Sequence, residues 1–256
     1  MKKQIVSILL VLFMAQGLFA LDGTQIAEKA HDVAKSKSTH SAVLMELIDE
    51  KGDVDSRLVE EFGIKENDLS STVMVFRSPA SVKDTRFLKQ ENGGRADDKF
   101  IYLPALKRVR RIASSDGSKS FMGTDLTYDD MESRDVERDT HSLLREESFN
   151  GVDCYVVRAE AKDPADSQYA YRVSWIRKDN FVPIKTELFD KSQKLEKVMT
   201  VLDLQNIDGF WTPMKAQMEN VQTNHKTVIT IQKIEFDKGV SKNIFTQGFL
   251  QTGRTN

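Results

Sequence analysis

Turn punctuation restricts this chain more than any other feature. In its second half, Asn150–Gly151, Asp179–Asn180 and Asp208–Gly209 each separate two segments whose side chains alternate with a period of two. Asn-Gly and Asp-Gly favour the left-handed backbone of a two-residue hairpin, so the flanking segments should be antiparallel neighbours. The pairs are Ser142 to Phe149 with Val152 to Ala161, Tyr169 to Arg177 with Phe181 to Phe189, and Leu195 to Leu204 with Phe210 to Glu219. Lys226 to Phe236 closes the series.

The first half carries the same rhythm. Thr39 to Ile48 alternates, and Thr72 to Arg77 is stopped by Ser78–Pro79. Thr85 to Glu91, Lys99 to Leu103 and Leu106 to Ile112 follow. Asn92–Gly93–Gly94 parts the first two, and Pro104 bends the chain before the third. About eleven strands on short turns predict one large antiparallel meander, with no composition break to mark a second domain. One helix precedes it: Asp22 or Thr24 can cap a run with Ile26, Ala27, Ala30, Val33 and Ala34 on one side. Val54 to Ser71 reads as charged and irregular, with a short surface helix over Ser56 to Phe62. Ala113 to Asp139 is the least regular stretch, with a short helix over Thr127 to Glu132. Ala113 to Met131 is expected to be mobile at a cavity mouth, because a long loop bearing Phe121 and Met122 gains by covering an apolar opening.

Several strands are apolar on both sides. Val198, Leu202 and Leu204 back onto Leu195, Met199 and Val201, and Ile229 and Ile231 back onto Val228, Ile234 and Phe236. A single antiparallel layer with one wet face alternates more cleanly. Helices must cover one face, or the sheet must curl around a greasy interior. With so little helix predicted, a partly covered, curled sheet fits better. Methionine adapts to irregular apolar surfaces. Of the nine methionines, Met1 and Met14 fall in the leader described next; Met45, Met199 and Met218 are the candidate cavity lining.

The N-terminus reads as a secretory leader, Met1 to Ala20. Lys2 and Lys3 precede the apolar run Ile5 to Met14, then come Gly17 and the small residue Ala20, with cleavage expected after Ala20. The run is too short to span a bilayer comfortably, and no later segment is apolar enough to do so. Residues 21–256 form the expected mature domain. Its mild acidity, from a whole-chain charge of −2, with both signs interspersed, argues against nucleic-acid binding. Catalytic signatures are missing: there is no Gly-x-Ser-x-Gly elbow, phosphate loop or dinucleotide fingerprint. His31, His40, His141 and His225 stand apart from one another and from the single Cys154, so no metal or cofactor is expected. Cys154 sits among Val152 and Val156 as a buried small hydrophobe. Lys107, Arg108, Arg110 and Arg111 form the one basic cluster, either a charged edge strand or a contact for lipid headgroups or an acidic partner.

Two runs resemble a known family. Phe100 to Ile112 (FIYLPALKRVRRI) and Ser120 to Asp130 (SFMGTDLTYDD) are similar to the bacterial outer-membrane lipoprotein-sorting proteins, a LolA-like group. So are Gly151 to Tyr155, Arg172 to Trp175, Val182 to Ile184, Asp208 to Pro213 and Glu219 to Thr227. The stretch Asp53 to Ser70 looks longer than this family requires, as an inserted loop would. The resemblance implies a curled, unclosed antiparallel sheet whose concave side is plugged by helices around a hydrophobic cavity. It implies a non-enzymatic periplasmic carrier for the acyl chain of a lipid or lipoprotein, making transient membrane contact and working with an inner-membrane transporter. Met45, Met199, Met218, Phe121 and Met122 are the expected ligand contacts. The competing reading is an envelope adaptor that binds a partner through its sheet surface and holds no ligand.

Overall fold

The computed structural model describes residues 21–255, so the leader, Met1 to Ala20, lies outside the described residues. A short helix, α1 (Gly23–His31), opens the domain. Thirteen strands follow: β1 (Ser38–Ile48), β2 (Val54–Glu66), β3 (Leu69–Ser78), β4 (Arg86–Gln90), β5 (Asp98–Leu103), β6 (Arg108–Arg111), β7 (Asp139–Phe149), β8 (Val152–Ala161), β9 (Tyr171–Arg177), β10 (Pro183–Phe189), β11 (Leu195–Ile207), β12 (Phe210–Asn220) and β13 (His225–Phe236). A second short helix, α2 (Gln247–Thr252), ends it.

All thirteen strands belong to one antiparallel sheet that does not close, in the order β6-β5-β4-β3-β2-β1-β13-β12-β11-β10-β9-β8-β7. The chain enters at the middle, meanders out to the β6 edge, then reappears at the opposite edge as β7. From there it returns by hairpins until β13 pairs with β1. The connection, residues 112–138, must therefore cross a whole face of the sheet. That face is called inner below.

The turn chemistry sets these pairings. Asn150 and Gly151 both take positive φ, 51° and 80°, as do Asp208 and Gly209, 52° and 90°. Those angles give the tight hairpins expected between β7 and β8 and between β11 and β12. The strand not anticipated is β2. Its charges fall on both faces, with Arg57 and Glu61 inward and Glu60 and Glu66 outward, so no period-two hydrophobic signal marks it. Backbone pairing with β1 on one side and β3 on the other makes it a central strand, neither a surface helix nor an inserted loop. The helix expected over Thr127 to Glu132 is also absent. Thr127 N–H donates to the Asp130 carboxylate at 2.9 Å and Asp130 N–H to the Thr127 hydroxyl at 3.1 Å, a reciprocal cap that closes a single turn which no helix continues.

Helix α1 carries a capping box: Asp22 accepts from Gln25 N–H, and the Gln25 side chain accepts from Asp22 N–H. It rests on β7 and β8 by packing Ile26 against Val157 and Ile176 on the inner face. Gly23 permits this approach, since a Cβ there would lie 2.7 Å from the Leu143 backbone nitrogen. Helix α2 packs on the outer face instead, where Phe249 and Leu250 cover Val73, Val75 and Leu88. The largest inner cluster joins Val43, Val59, Phe76, Phe87 and Ile101 from the sheet to Phe121 and Tyr128 from the crossing connection.

Candidate functional site

The crossing connection is bolted down. Phe121 is 1% exposed and meets the Phe87 ring edge-on at 5.0 Å and Tyr128 at 5.7 Å. Arg57 donates to the Met122 carbonyl at 2.5 Å. Asp125 accepts from the Thr227 hydroxyl at 2.7 Å and pairs with His225 Nδ1 at 2.7 Å, while its own N–H donates to Thr227 at 2.9 Å. A connection with this many buried anchors over Phe121 to Tyr128 is a strap, packed there against the inner face, while residues 113–115 and 118–120 stay exposed; the mobility expected over Ala113 to Met131 is what hydrogen exchange measures.

Where the strap leaves the β1–β6 half, a cavity of about 510 Å³ opens between it and the inner face. Thr186, Leu188, Met199 and Met218 form its floor, and Ile112, Asp129, Asp130 and Glu132 roof it. Tyr169, Arg172, Arg134 and Arg138 stand at one end, Asp97 and Lys99 at the other. The lining is mixed: an apolar floor under charged walls. Burial of these charges depends on pairing. Lys197, 4% exposed, binds Asp130 at 3.1 Å, and Tyr169 donates to the same carboxylate at 2.8 Å. Gln168 adds a donor to Asp130 at 3.1 Å. Lys99 pairs with Asp129 at 3.1 Å and with Glu132. Lys89 reaches the Met131 carbonyl at 2.8 Å. Arg134 and Arg172 share Asp139.

Desolvation perturbs several of these groups. It pushes the Tyr169 hydroxyl up, helped by the Asp130 charge, and pulls Arg172 down against the pull of Asp139. Desolvation raises Asp97 to about 6, opposed by Lys89 and assisted by Glu132. One oxygen of Asp97 is buried without any hydrogen-bond partner. On the same face, burial lifts Glu61 to about 7.

The structure brings together only some of the residues singled out from sequence. Met199 and Met218 are cross-strand partners and lie side by side on the cavity floor. Met45 shares the inner face but is 4% exposed in the core, away from the cavity lining. Phe121 and Met122 anchor the strap and do not line the cavity. Lys107, Arg108, Arg110 and Arg111 lie at or beside β6, the terminal strand, where Arg111 pairs with Asp98 at 2.7 Å. That position fits edge protection by charge. Cys154 is fully buried, and desolvation raises its thiol pKa. The charged cavity wall was missed because Lys89, Lys99 and Lys197 look like solvent-facing members of alternating strands. The one available signal was parity: each shares a strand face with Phe87, Ile101 or Met199.

A family profile described only as an uncharacterized protein matches residues 68–252. No curated protein matches the chain. Among solved structures, the chain is 30% identical to an outer-membrane lipoprotein-sorting protein domain from Vibrio parahaemolyticus, with a TM-score of 0.84 over 90% of this chain and 98% of the other. It is 29% identical to a DUF1329 family protein from Desulfovibrio piger, with a TM-score of 0.85 and the same coverage. A LolA superfamily protein from Nitrosomonas europaea shares the fold at 20% identity and a TM-score of 0.70, over 90% of this chain and 100% of the other.

Proposed function

This chain belongs to the outer-membrane lipoprotein-sorting protein family, and from that premise we propose that it is a non-catalytic periplasmic carrier that holds the acyl part of a lipid or lipoprotein in the strap-roofed cavity. The observation that carries the reading is the cavity itself. An apolar floor of Leu188, Met199 and Met218 lies beneath charged walls, which is a complement to an amphiphile. A volume of about 510 Å³ lies within the range of small-molecule sites. Burying a methylene contributes about 0.8 kcal/mol, so some fifteen methylenes contribute about 12 kcal/mol, and an ordering cost of about 4 kcal/mol leaves micromolar affinity, from which a carrier can release. An inner-membrane transporter is the natural donor for such a ligand. The basic β6 edge, Lys107, Arg108, Arg110 and Arg111, is the natural contact for acidic headgroups during transfer.

Mass spectrometry of organic extracts from natively purified protein tests the reading directly, with co-purifying lipid as the expected result. Uptake of a fluorescent fatty acid should be abolished by Met199→Glu, at a partly buried floor position, while unfolding stays cooperative. Met45→Glu should instead disrupt the fold, because that side chain is core. If the unmodified protein yields no lipid and shows no uptake, the adaptor reading replaces this one. Intact-mass measurement of envelope-fraction protein tests the export half: Leu21 is the expected first residue.

A further inference from the structure

The charges around the cavity are sorted rather than mixed. At one end Arg134, Arg138 and Arg172 make direct ion pairs with Asp139 and Asp166, three guanidinium groups on two carboxylates, while Asp135 and Glu132 act on Arg138 from farther off. At the other end Lys89 and Lys99 face Asp97, Asp129 and Glu132, which leaves an excess negative charge. Glu91, whose carboxyl is held below its ordinary value, adds further negative charge near Lys89. Between the two ends, Asp130 and Lys197 cancel. Each end also keeps unused hydrogen-bonding capacity. The buried Asp97 oxygen has no donor, and among the described residues only Nη2 of Arg172 is engaged, by Asp139.

We propose, resting on the carrier reading above, that this cavity receives a zwitterionic head group, a phosphate joined to a primary amine, so that the amphiphile carried is of the aminophospholipid class. The phosphate lies against Arg172 and Arg138, where charge-assisted N–H donors suit its oxygens. The ammonium lies at Asp97 and supplies the donor that this carboxylate lacks. Desolvation of both Asp97 and Arg172 points the same way, since each is a partly buried charge that a counter-charge would relieve. A purely anionic head leaves Asp97 unmet and meets repulsion at the acidic end. A quaternary ammonium has no N–H to give it.

The test is competitive extraction. The protein is incubated with phosphatidylcholine vesicles doped with equal fractions of dioleoyl phosphatidylethanolamine and dioleoyl phosphatidylglycerol, re-isolated, and its bound lipid quantified by mass spectrometry. Ethanolamine lipid should exceed glycerol lipid by roughly tenfold, one charge-assisted contact's worth. Asp97→Asn breaks no hydrogen bond and is nearly isosteric, so it should fold, and it should bring the ratio close to one. Arg172→Gln should lower uptake of both phospholipids while sparing fluorescent palmitate, and Arg172→Lys should restore part of it. A ratio near one in the unmodified protein, or a ratio that Asp97→Asn leaves unchanged, overturns the head-group inference while palmitate uptake keeps the carrier reading standing. Failure to take up palmitate or any phospholipid overturns both.

Discussion

Lys89, Lys99 and Lys197 point inward from three different strands, and they are 7%, 4% and 4% exposed. A buried ammonium is tolerated only when a carboxylate or carbonyl meets it, and here the strap supplies every partner: Met131, Asp129 with Glu132, and Asp130. Removing one member of such a pair strands the other. Lys197→Met should cost about 3–5 kcal/mol, because Asp130 would keep its negative charge in a buried site with only Tyr169, Gln168 and Thr127 N–H as donors. Urea unfolding reads this loss. A double variant, Lys197→Met with Asp130→Leu, should recover much of it, as expected when the charge rather than the lost contact is the problem.

At the scale of elements, two segments clamp opposite faces of the same strands. The strap holds β3 to β5 from inside through Phe121 and Tyr128, and α2 holds them from outside through Phe249 and Leu250. Leu250 is fully buried, and its carbonyl accepts from Arg86 at 2.7 Å. Leu250→Ala should therefore cost about 2–5 kcal/mol through the cavity it leaves. The strap has its own latch. Asp125→Ala removes the acceptor shared by Thr227 and His225, and should cost about 1–3 kcal/mol. Hydrogen exchange separates the two effects. Amides of residues 119–131 should exchange slowly in the unmodified protein, quicken in Asp125→Ala, and stay slow in Leu250→Ala. Fast exchange in the unmodified protein would restore the mobile-loop picture.

For the whole molecule, the buried carboxylates set a pH dependence. Glu61 and Asp97 both have folded-state pKa values above their unfolded ones, about 7 and about 6. Between pH 4 and 7 the folded state thus holds more protons than the unfolded state, and stability falls as pH rises through that window. His141, whose pKa burial lowers, acts in the opposite sense: it loses stability as pH falls below its ordinary value. Asp98, held near 2 by Arg95 and Arg111, matters only at lower pH. The double variant Glu61→Gln with Asp97→Asn isolates the carboxylates, because His141 cancels in the comparison. Its Tm advantage over the parent should be largest at pH 8 and smallest at pH 4. A difference that does not change with pH would contradict the assignment.

The hairpins were legible because turn chemistry acts over two residues: Asn150–Gly151 and Asp208–Gly209 dictate antiparallel neighbours wherever they occur. Alternation in β8, β11 and β13 likewise announced strands apolar on two sides, and the mostly β meander followed from these local signals, while its unclosed form followed from the family resemblance. What the chain could not announce locally was register across long separations. The pairing of β1 with β13 and the travel of residues 112–138 from one sheet edge to the other join parts of the chain remote in sequence. Those contacts make Met199 and Met218 neighbours, place Met45 in the core, turn Phe121 into an anchor, and gather the lysines of three strands beneath the carboxylates of one strap. A single strand shows only that its side chains alternate. Which face is roofed, and by which charges, is decided by the packing of elements distant in sequence, and so the charged cavity came into view only with the tertiary structure.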